Sequence, residues 1–248
     1  MSTPVWPTHA APPPLRADDV HVWAVDRDAD AGDNGMLSPP ERARREAFRF
    51  ARDRLRYATS HAALYRLLGA YLGCAPEAVR LITGQWGKPA LDPRTHSNPV
   101  WFNMAASGPL ALIAVTRAAE VGVDLEELAP FPDLSEVAAD HFSPEERAAI
   151  AAATGAQRLA TFYRCWTRKE AYLKALGVGL RQPLHRFAVS ADSRSTASLI
   201  HVDSDPAEGA QWSIIHLEPR VAFVGAVACR ARTVRVGTFA AAAPTAVR

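Results

Sequence analysis

Two parts of this chain carry the same short patterns in the same order. Residues 38–43 read Ser-Pro-Pro-Glu-Arg-Ala, and residues 143–148 read Ser-Pro-Glu-Glu-Arg-Ala. The segment LYRLLG, ending at Gly69, resembles YLKALG, ending at Gly177, and strand-like segments at 20–26 and 121–127 have a similar offset. Each match alone is weak, because Ser-Pro-x-Glu is a common helix start. Three matches in one order predict a duplicated α+β unit with its join near residue 119.

The domain organisation that we expect follows from this repeat. We predict an N-terminal α+β half at 18–119 and a C-terminal α+β half at 120–236, flanked by disordered tails at 1–17 and 237–248. A duplicated fold places equivalent surfaces face to face. The cleft between the halves is therefore a natural binding site.

Composition narrows the class of protein. A chain of 248 residues with 48% hydrophobic and 22% charged residues is an ordinary soluble globular protein, and its net charge of +2 is too small to imply nucleic acid as a partner. Cys74, Cys165 and Cys229 show neither CxxC spacing nor an even number, which fits a reducing cytosol. The N-terminus lacks the apolar core of a signal peptide, and no apolar run reaches membrane-spanning length. We expect a cytoplasmic protein without a membrane partner.

The hydrophobic pattern alternates between strands and helices. The predicted helices occupy 38–73 (ending at Gly69 or Gly73), 143–153 and 157–177. The predicted strands occupy 20–26, 79–91 with a turn at Gly87, a hairpin at 100–117, 121–128, and segments around 186–190, 199–203, 212–217 and 221–230.

The strand VGVDLEEL, residues 121–128, is apolar except where Asp124 and Glu126 lie two residues apart. Residues at that spacing point to the same face of a strand, and two neighbouring carboxylates repel each other. One interpretation is a polar outer face on an edge strand. The other is that both carboxylates hold a hard divalent cation such as Mg²⁺. The strand by itself leaves both open.

The helix at 157–177 offers a similar choice. Glu170 and Lys174 lie four residues apart and share a face, which by itself is typical of an exposed i,i+4 salt bridge. By the same argument Lys169 is expected to be a solvated helix residue.

Together these two segments resemble a known pair of motifs. GVDLEEL followed by WTRKEAYLKALG is similar to the signature of the Sfp-type (surfactin-synthetase-activating) 4′-phosphopantetheinyl transferases. WGKPAL resembles that family's Gly-Lys-Pro element, and FARDRLRY its basic helix. The fixed positions of the two main motifs are all filled, by Gly122, Asp124, Glu126, Trp166, Thr167, Lys169, Glu170, Ala171, Lys174 and Gly177.

The resemblance implies a fold, a reaction and a site. The fold would be a monomeric α+β pseudo-dimer with its active site between the halves. The reaction would be transfer of phosphopantetheine from coenzyme A to a serine of apo acyl or peptidyl carrier proteins of fatty-acid, polyketide or nonribosomal-peptide synthases. Asp124, Glu126 and Glu170 would hold Mg²⁺, with Asp124 also against coenzyme A. Glu170 would be the general base, and Lys174 would bind the pyrophosphate and assist catalysis.

Basic residues add candidate coenzyme A contacts. Lys88, with Pro89 beside it, would bind phosphate by resemblance to the Gly-Lys-Pro element. The family's early basic contact falls on Arg44 or Arg45, and Arg56 matches a later one near the ribose. The regular arginine spacing along this helix is also typical of a solvated face. A nucleic-acid-binding helix is a third interpretation, but no base-reading motif lies nearby.

One departure from the family pattern leaves the activity open to alternatives. The family has Ser-His where this chain has Ala105-Ala106, and alanine offers no hydrogen-bond donor to coenzyme A. Losing one charge-assisted hydrogen bond costs about 1.5–3 kcal/mol. A non-catalytic module that binds coenzyme A or a carrier domain is therefore an alternative. A Mg²⁺-dependent nucleotide phosphatase using the same carboxylates is a weaker one.

Overall fold

The computed structural model describes residues 6–29, 35–84, 86–97, 100–179, 182–192, 196–197, 199–203 and 207–242. The helices are α1 (Pro39–Glu46), α2 (Ala51–Leu72), α3 (Leu134–His141), α4 (Pro144–Ala152) and α5 (Gly155–Leu176). The strands are β1 (Thr8–His9), β2 (Asp19–Asp26), β3 (Leu81–Thr83), β4 (Pro89–Leu91), β5 (Trp101–Ser107), β6 (Leu110–Thr116), β7 (Val121–Glu127), β8 (Phe187–Val189), β9 (Thr196–Ala197), β10 (Leu199–Val202), β11 (Ser213–Leu217), β12 (Phe223–Cys229) and β13 (Arg235–Ala241). The predicted α+β class is confirmed.

The first sheet has the strand order β1-β13-β2-β6-β5. β6 pairs antiparallel with both β2 and β5, whereas β13 runs parallel to β2. Helix α2 packs on this sheet, and its Leu64 and Leu68 share a buried cluster with Ile113 and Val115 of β6. Burial of this apolar stripe against the sheet is what stabilises a helix of this length.

The second sheet is antiparallel and has the strand order β7-β12-β11-β9. Helix α5 packs on it, with Phe162 and Tyr172 in the same buried cluster as Ala226 of β12. The β3-β4 hairpin and the antiparallel pair β8-β10 complete the fold. Within the described residues, no helix is long and apolar enough to cross a membrane.

Helices α1 and α4 begin with the same signal, and helices α2 and α5 end with the same one. The backbone N–H groups of Ser38 and Ser143 donate to the carboxylates of Glu41 and Glu146, closing a capping box at the start of α1 and of α4. Both long helices end at a left-handed glycine, Gly73 after α2 and Gly177 after α5. Gly73 is thus the counterpart of Gly177.

The match of Gly69 to Gly177 was therefore wrong. Gly69 lies inside α2, where a Cβ would come within 2.8 Å of the carbonyl oxygen of Cys74, so its small size serves packing. The division of the chain near residue 119 stays a prediction.

Two other predictions from the sequence are corrected. The helix at 38–73 is two helices, because the chain turns at 47–50, with Phe50 extended before α2. The described parts of the predicted tails are not disordered. Strand β13 inserts between β1 and β2, and Phe239 packs against Trp23 with ring centroids 4.9 Å apart. Long-range pairing and one aromatic contact order a segment whose small residues looked structureless.

Candidate active site

The site lies where the edge strands of the two sheets meet. Side chains of β5 join it to β7: the Val123 N–H donates to Asn103 Oδ1 over 2.9 Å, and the Glu127 N–H donates to Ser107 Oγ over 3.1 Å. These contacts satisfy backbone donors that would otherwise be exposed on a sheet edge. They also fix the position of the carboxylates on β7.

Gly122 lets α5 lie directly on β7. A Cβ at this position would be 2.1 Å from the carbonyl oxygen of Ala171 and 2.3 Å from the backbone nitrogen of Ala175. No larger residue fits, since atoms this close overlap. The close approach brings the α5 turn carrying Glu170 and Lys174 against Asp124.

Asp124 is almost fully buried, and only one of its two carboxylate oxygens has a hydrogen-bond partner among the described residues. Lys174 Nζ donates to Asp124 Oδ1 over 2.5 Å, whereas Oδ2 is buried without a hydrogen-bond partner among the described residues. Burial raises the pKa of Asp124, against the opposing effect of the Lys174 ammonium. The interpretation of VGVDLEEL as a polar outer face is therefore wrong, because Asp124 is only 4% exposed.

The other two carboxylates share this environment. Glu126 Oε2 accepts a hydrogen bond from Ser107 Oγ at 3.1 Å, and burial together with Asp124 raises the pKa of Glu126. Burial and the same neighbour also raise the pKa of Glu170. Lys174 pairs with Asp124, so the i,i+4 salt bridge to Glu170 is not what this helix face is used for.

These residues suit a hard divalent cation. The unpartnered Asp124 Oδ2 and two carboxylates held at raised pKa form an oxygen donor set that Mg²⁺ prefers, and a cation would relieve their repulsion. In the part of the chain that the structure describes, however, no three acidic, His or Cys side chains already stand as a metal cluster. One Asp124 oxygen is held by Lys174 instead.

Lys88 lies differently from the expectation that it binds phosphate. Its ammonium donates to the carbonyl oxygens of Val121 (2.9 Å) and Ala175 (2.8 Å), joining the start of β7 to the end of α5. Burial lowers the pKa of Lys88 to about 8. In this position Lys88 holds the helix on the strand, and one of its three ammonium donors is left for a phosphate.

A cavity of about 870 Å³ opens between α1, α2, the β3-β4 hairpin and β5. Arg44, His61, Arg80 and Pro89 line it, together with Asn103, whose side chain touches β7. This volume is in the range of small-molecule and cofactor sites. Arg44 and Arg80, from separate elements, suit a phosphorylated ligand, whereas burial lowers the pKa of His61 and disfavours its charged form.

The remaining predicted arginines lie elsewhere. Arg45 pairs with Glu46 on the helix surface, and Arg56 makes a two-bond ion pair with Asp28, at 2.6 and 2.9 Å. Neither lines the large cavity. Of the candidates for coenzyme A on α1 and α2, the structure places only Arg44 in it.

The chain was compared with known proteins. It is 34% identical over 218 residues to the 4′-phosphopantetheinyl transferase HetI of a Nostoc species, a match that covers 86% of this chain and 89% of the relative. The chain belongs to the 4′-phosphopantetheinyl transferase superfamily. A model of that superfamily matches residues 120–229.

Two further relatives extend the comparison. AcpT, a 4′-phosphopantetheinyl transferase of Escherichia coli K12, is 37% identical over 133 residues, 54% of this chain and 63% of its own length. A phosphopantetheinyl transferase of Thraustochytrium is 30% identical over 181 residues, 67% of this chain and 62% of its own length. The relatives thus include bacterial and other lineages, all with the same enzyme name.

Lys169, in the family's second motif, corrects another expectation. It is fully buried: its Nζ pairs with Glu146 Oε2 at 2.9 Å and donates to the carbonyl oxygens of Leu184 and Phe187. Glu146 also accepts from Ser143 and Val189 through their N–H groups. The ion pair fastens α5 to α4 and β8 directly beside Glu170.

The residues that sequence reasoning missed are Glu146, Asn103 and Ser107. Glu146 carried a visible signal, since it is the capping glutamate of the second Ser-Pro-x-Glu repeat. Asn103 and Ser107 lie on either side of Ala105-Ala106, where this chain departs from the superfamily pattern. Ala105 is buried in the core, and Ser107, one position beyond the alanine pair, supplies the hydrogen bond to Glu126.

Proposed function

We propose that this protein transfers the 4′-phosphopantetheine group of coenzyme A to a serine of an apo carrier protein and releases 3′,5′-ADP. The observation that carries the proposal is the packing of α5 on β7 at Gly122, which gathers Asp124, Glu170 and Lys174 in a member of this superfamily. In the reaction, the serine oxygen forms a bond to the phosphorus that carries the pantetheine arm. The bond from that phosphorus to the bridging oxygen breaks, and the 3′,5′-ADP leaves with the electron pair.

Glu170 accepts the proton of the serine hydroxyl. Burial and Asp124 raise the pKa of Glu170, which makes it a stronger base than an exposed glutamate. Its backbone is held on both sides, by the buried Lys169–Glu146 pair and by the contact of α5 with Gly122. A base fixed in this way is positioned before the substrate arrives.

Asp124, Glu126 and Glu170 are the proposed ligands of Mg²⁺. Bound there, the ion supplies neutralisation of the pyrophosphate charge, the main requirement of phosphoryl transfer. Lys174 contributes a positive charge at the same place and keeps one Asp124 oxygen oriented. Ser107 orients Glu126 from the neighbouring sheet.

Coenzyme A occupies the cavity of about 870 Å³, with its phosphates toward Arg44, His61 and Arg80. This assignment replaces the family's Ser-His contact, absent at Ala105-Ala106, by basic side chains from other elements. It is supported by the cavity's position beside Asn103, which bridges to β7. We also propose that the enzyme acts as a cytoplasmic monomer on carriers of fatty-acid, polyketide or nonribosomal-peptide synthesis.

Intact-mass measurement tests the activity. An apo carrier protein is incubated with this protein, coenzyme A and Mg²⁺, beside an EDTA control. A metal-dependent gain of one phosphopantetheine on the carrier is the expected result. Binding of coenzyme A and Mg²⁺ without a mass gain on several unrelated carriers would instead favour the non-catalytic module, which Ala105-Ala106 otherwise supports. Release of inorganic phosphate without a carrier would favour a phosphatase.

A further inference from the structure

A second cavity, of about 210 Å³, lies between α5 and the β11-β12 hairpin. Arg164 and Ala160 of α5 line it, with His216 at β11 and Glu218 and Arg220 just beyond that strand. None of these residues has a part in the proposed transfer. The proposed transfer therefore does not explain this cavity.

The cavity lies near the proposed active site but is separate from it. His216 is directly opposite Ala226 on β12, and Ala226 is directly opposite Asp124 on β7. Directly opposed residues share a face of the sheet, and neighbouring strands are about 4.8 Å apart. His216 and Asp124 therefore lie on the α5 side of the sheet with backbones roughly 10 Å apart.

Arg164 is a buried cation with few hydrogen-bond partners among the described residues. It is 8% exposed, and its Nη1 donates to the carbonyl oxygen of Ala191 over 3.1 Å. Its Nε is buried without a partner, and no acidic side chain pairs with its guanidinium in the described parts of the chain. A guanidinium has five N–H donors, and a buried charge without a counter-ion costs several kcal/mol. Arg164 thus lacks an anion.

His216 is also buried with only part of its hydrogen-bonding capacity used. Its Nδ1 is buried without a partner among the described residues, and its Nε2 is 3.4 Å from Glu218 Oε1. Burial, with Arg168 and Arg164 nearby, lowers the pKa of His216 to about 4, against the opposing effect of Glu218. Burial and the two guanidinium groups therefore both disfavour a proton on His216. An anion in the cavity would reverse that effect and give Nδ1–H an acceptor.

We propose that this cavity binds a phosphate group, held by the guanidinium of Arg164 with His216 beside it. A guanidinium fork matches two phosphate oxygens, and charge-assisted bonds of this kind are the strong ones. Arg220 also lines the cavity, but its guanidinium already pairs with Asp26 at 2.9 Å. Water could fill the space and satisfy donors, but it could not neutralise Arg164.

Thermal unfolding of the full chain with increasing inorganic phosphate tests the proposal, at ionic strength matched with chloride. Phosphate should raise the midpoint saturably in the wild type, as a ligand of the folded state does. Arg164→Met should weaken the apparent affinity by about ten- to a hundredfold, the loss expected for one charge-assisted bond. Arg147→Met, an exposed arginine on α4, is the matched control and should respond like the wild type.

Two further variants keep the result decisive. Arg44→Ala removes a phosphate contact of the other cavity, so the part of the response that Arg164→Met removes should persist in Arg44→Ala. A response lost in Arg44→Ala but kept in Arg164→Met, or no response at all, would overturn the proposal. Should Arg164→Met not fold, His216→Phe is used in its place and must also weaken phosphate binding. Glycerol phosphate is titrated in parallel with inorganic phosphate. Tighter binding of inorganic phosphate indicates a site for the free ion, whereas tighter binding of glycerol phosphate indicates a site for the phosphate end of a larger molecule.

Discussion

Lys174 holds one oxygen of Asp124 and leaves the other without a partner. The ammonium lies 2.5 Å from Oδ1, while Oδ2 is buried and makes no hydrogen bond within the described residues. A buried carboxylate in this state is oriented but not satisfied. Glu126 and Glu170 both have pKa values raised partly by this same carboxylate. The carboxylates of Asp124, Glu126 and Glu170 therefore repel one another, and a bound cation would relieve that repulsion.

Glu170→Gln should remove the proposed base without changing the shape of the side chain. We expect transfer to fall by about 10²- to 10⁴-fold, the usual contribution of general acid–base catalysis. Coenzyme A should still bind, as isothermal titration can check. Glu145→Gln, on the exposed first turn of α4, is the matched control. Normal turnover by Glu170→Gln would remove this residue from the mechanism.

The raised pKa of Glu170 should be visible in the pH dependence of the free energy of unfolding. Glu170 has a raised pKa in the folded protein, so it binds its proton more tightly folded than unfolded, and ionising it costs stability. In EDTA, Glu170→Gln should therefore be more stable than the wild type at neutral pH. This advantage should shrink as the pH falls through the raised folded pKa and level off below the ordinary value of 4.5. Urea unfolding across this pH range measures it, and a pH-independent difference would contradict the raised pKa.

The buried Lys169–Glu146 pair should be costly to break on one side. Lys169→Met leaves the Glu146 carboxylate buried without its cation, and we expect a loss of about 3–5 kcal/mol in the free energy of unfolding. The double variant Lys169→Met with Glu146→Leu should recover part of the loss, because no charge is left unpaired. Chemical denaturation gives both values. A loss below about 1 kcal/mol for the single variant would mean that the carboxylate is not held as the structure has it.

Gly122→Ala tests the contact that assembles the site. The added methyl group would overlap the backbone of α5 at Ala171, so the helix must move off β7. We expect about 1–3 kcal/mol of destabilisation and a loss of transfer greater than the loss of fold explains. Gly237→Ala is the comparison, since there the nearest atoms belong to the side chain of Phe239, which is able to move. Equal transfer by both variants would argue against the role of this contact.

Arg44→Ala should separate coenzyme A binding from chemistry. We expect the KM for coenzyme A to rise about tenfold while kcat changes little, because Arg44 lines the large cavity and not the carboxylate site. Arg45→Ala, one residue on and paired with Glu46, is the natural control. Steady-state kinetics with a carrier at saturation measures both. The reverse result would place the ligand on the other side of α1.

The site was predictable where its chemistry is local in sequence. Asp124 and Glu126 share one strand, Glu170 and Lys174 share one helix turn, and the resemblance joined the two segments. The pairing of Lys174 with Asp124 was not predictable, because an i,i+4 partner was available on the same helix and only the packing of α5 on β7 decides between them.

Contacts that depend on long-range packing were not predictable from the sequence. Lys169 looks like any helix lysine until Glu146 and the carbonyl groups of Leu184 and Phe187 surround it. Lys88 was expected to meet a phosphate, whereas its two bonds go to backbone oxygens of β7 and α5. In each case local pattern gives the element, but the partner comes from a distant part of the chain.

Strand β13 has a consequence for how the protein is made. The first sheet places residues 235–241 between β1 and β2, so its strand order cannot be completed until β13 has been synthesised. In a nascent chain emerging from the ribosome, β2 would have an open edge until β13 arrives, and open edges invite pairing with other chains. The sheet that contains β2 can therefore take its full strand order only after every other described strand has been made.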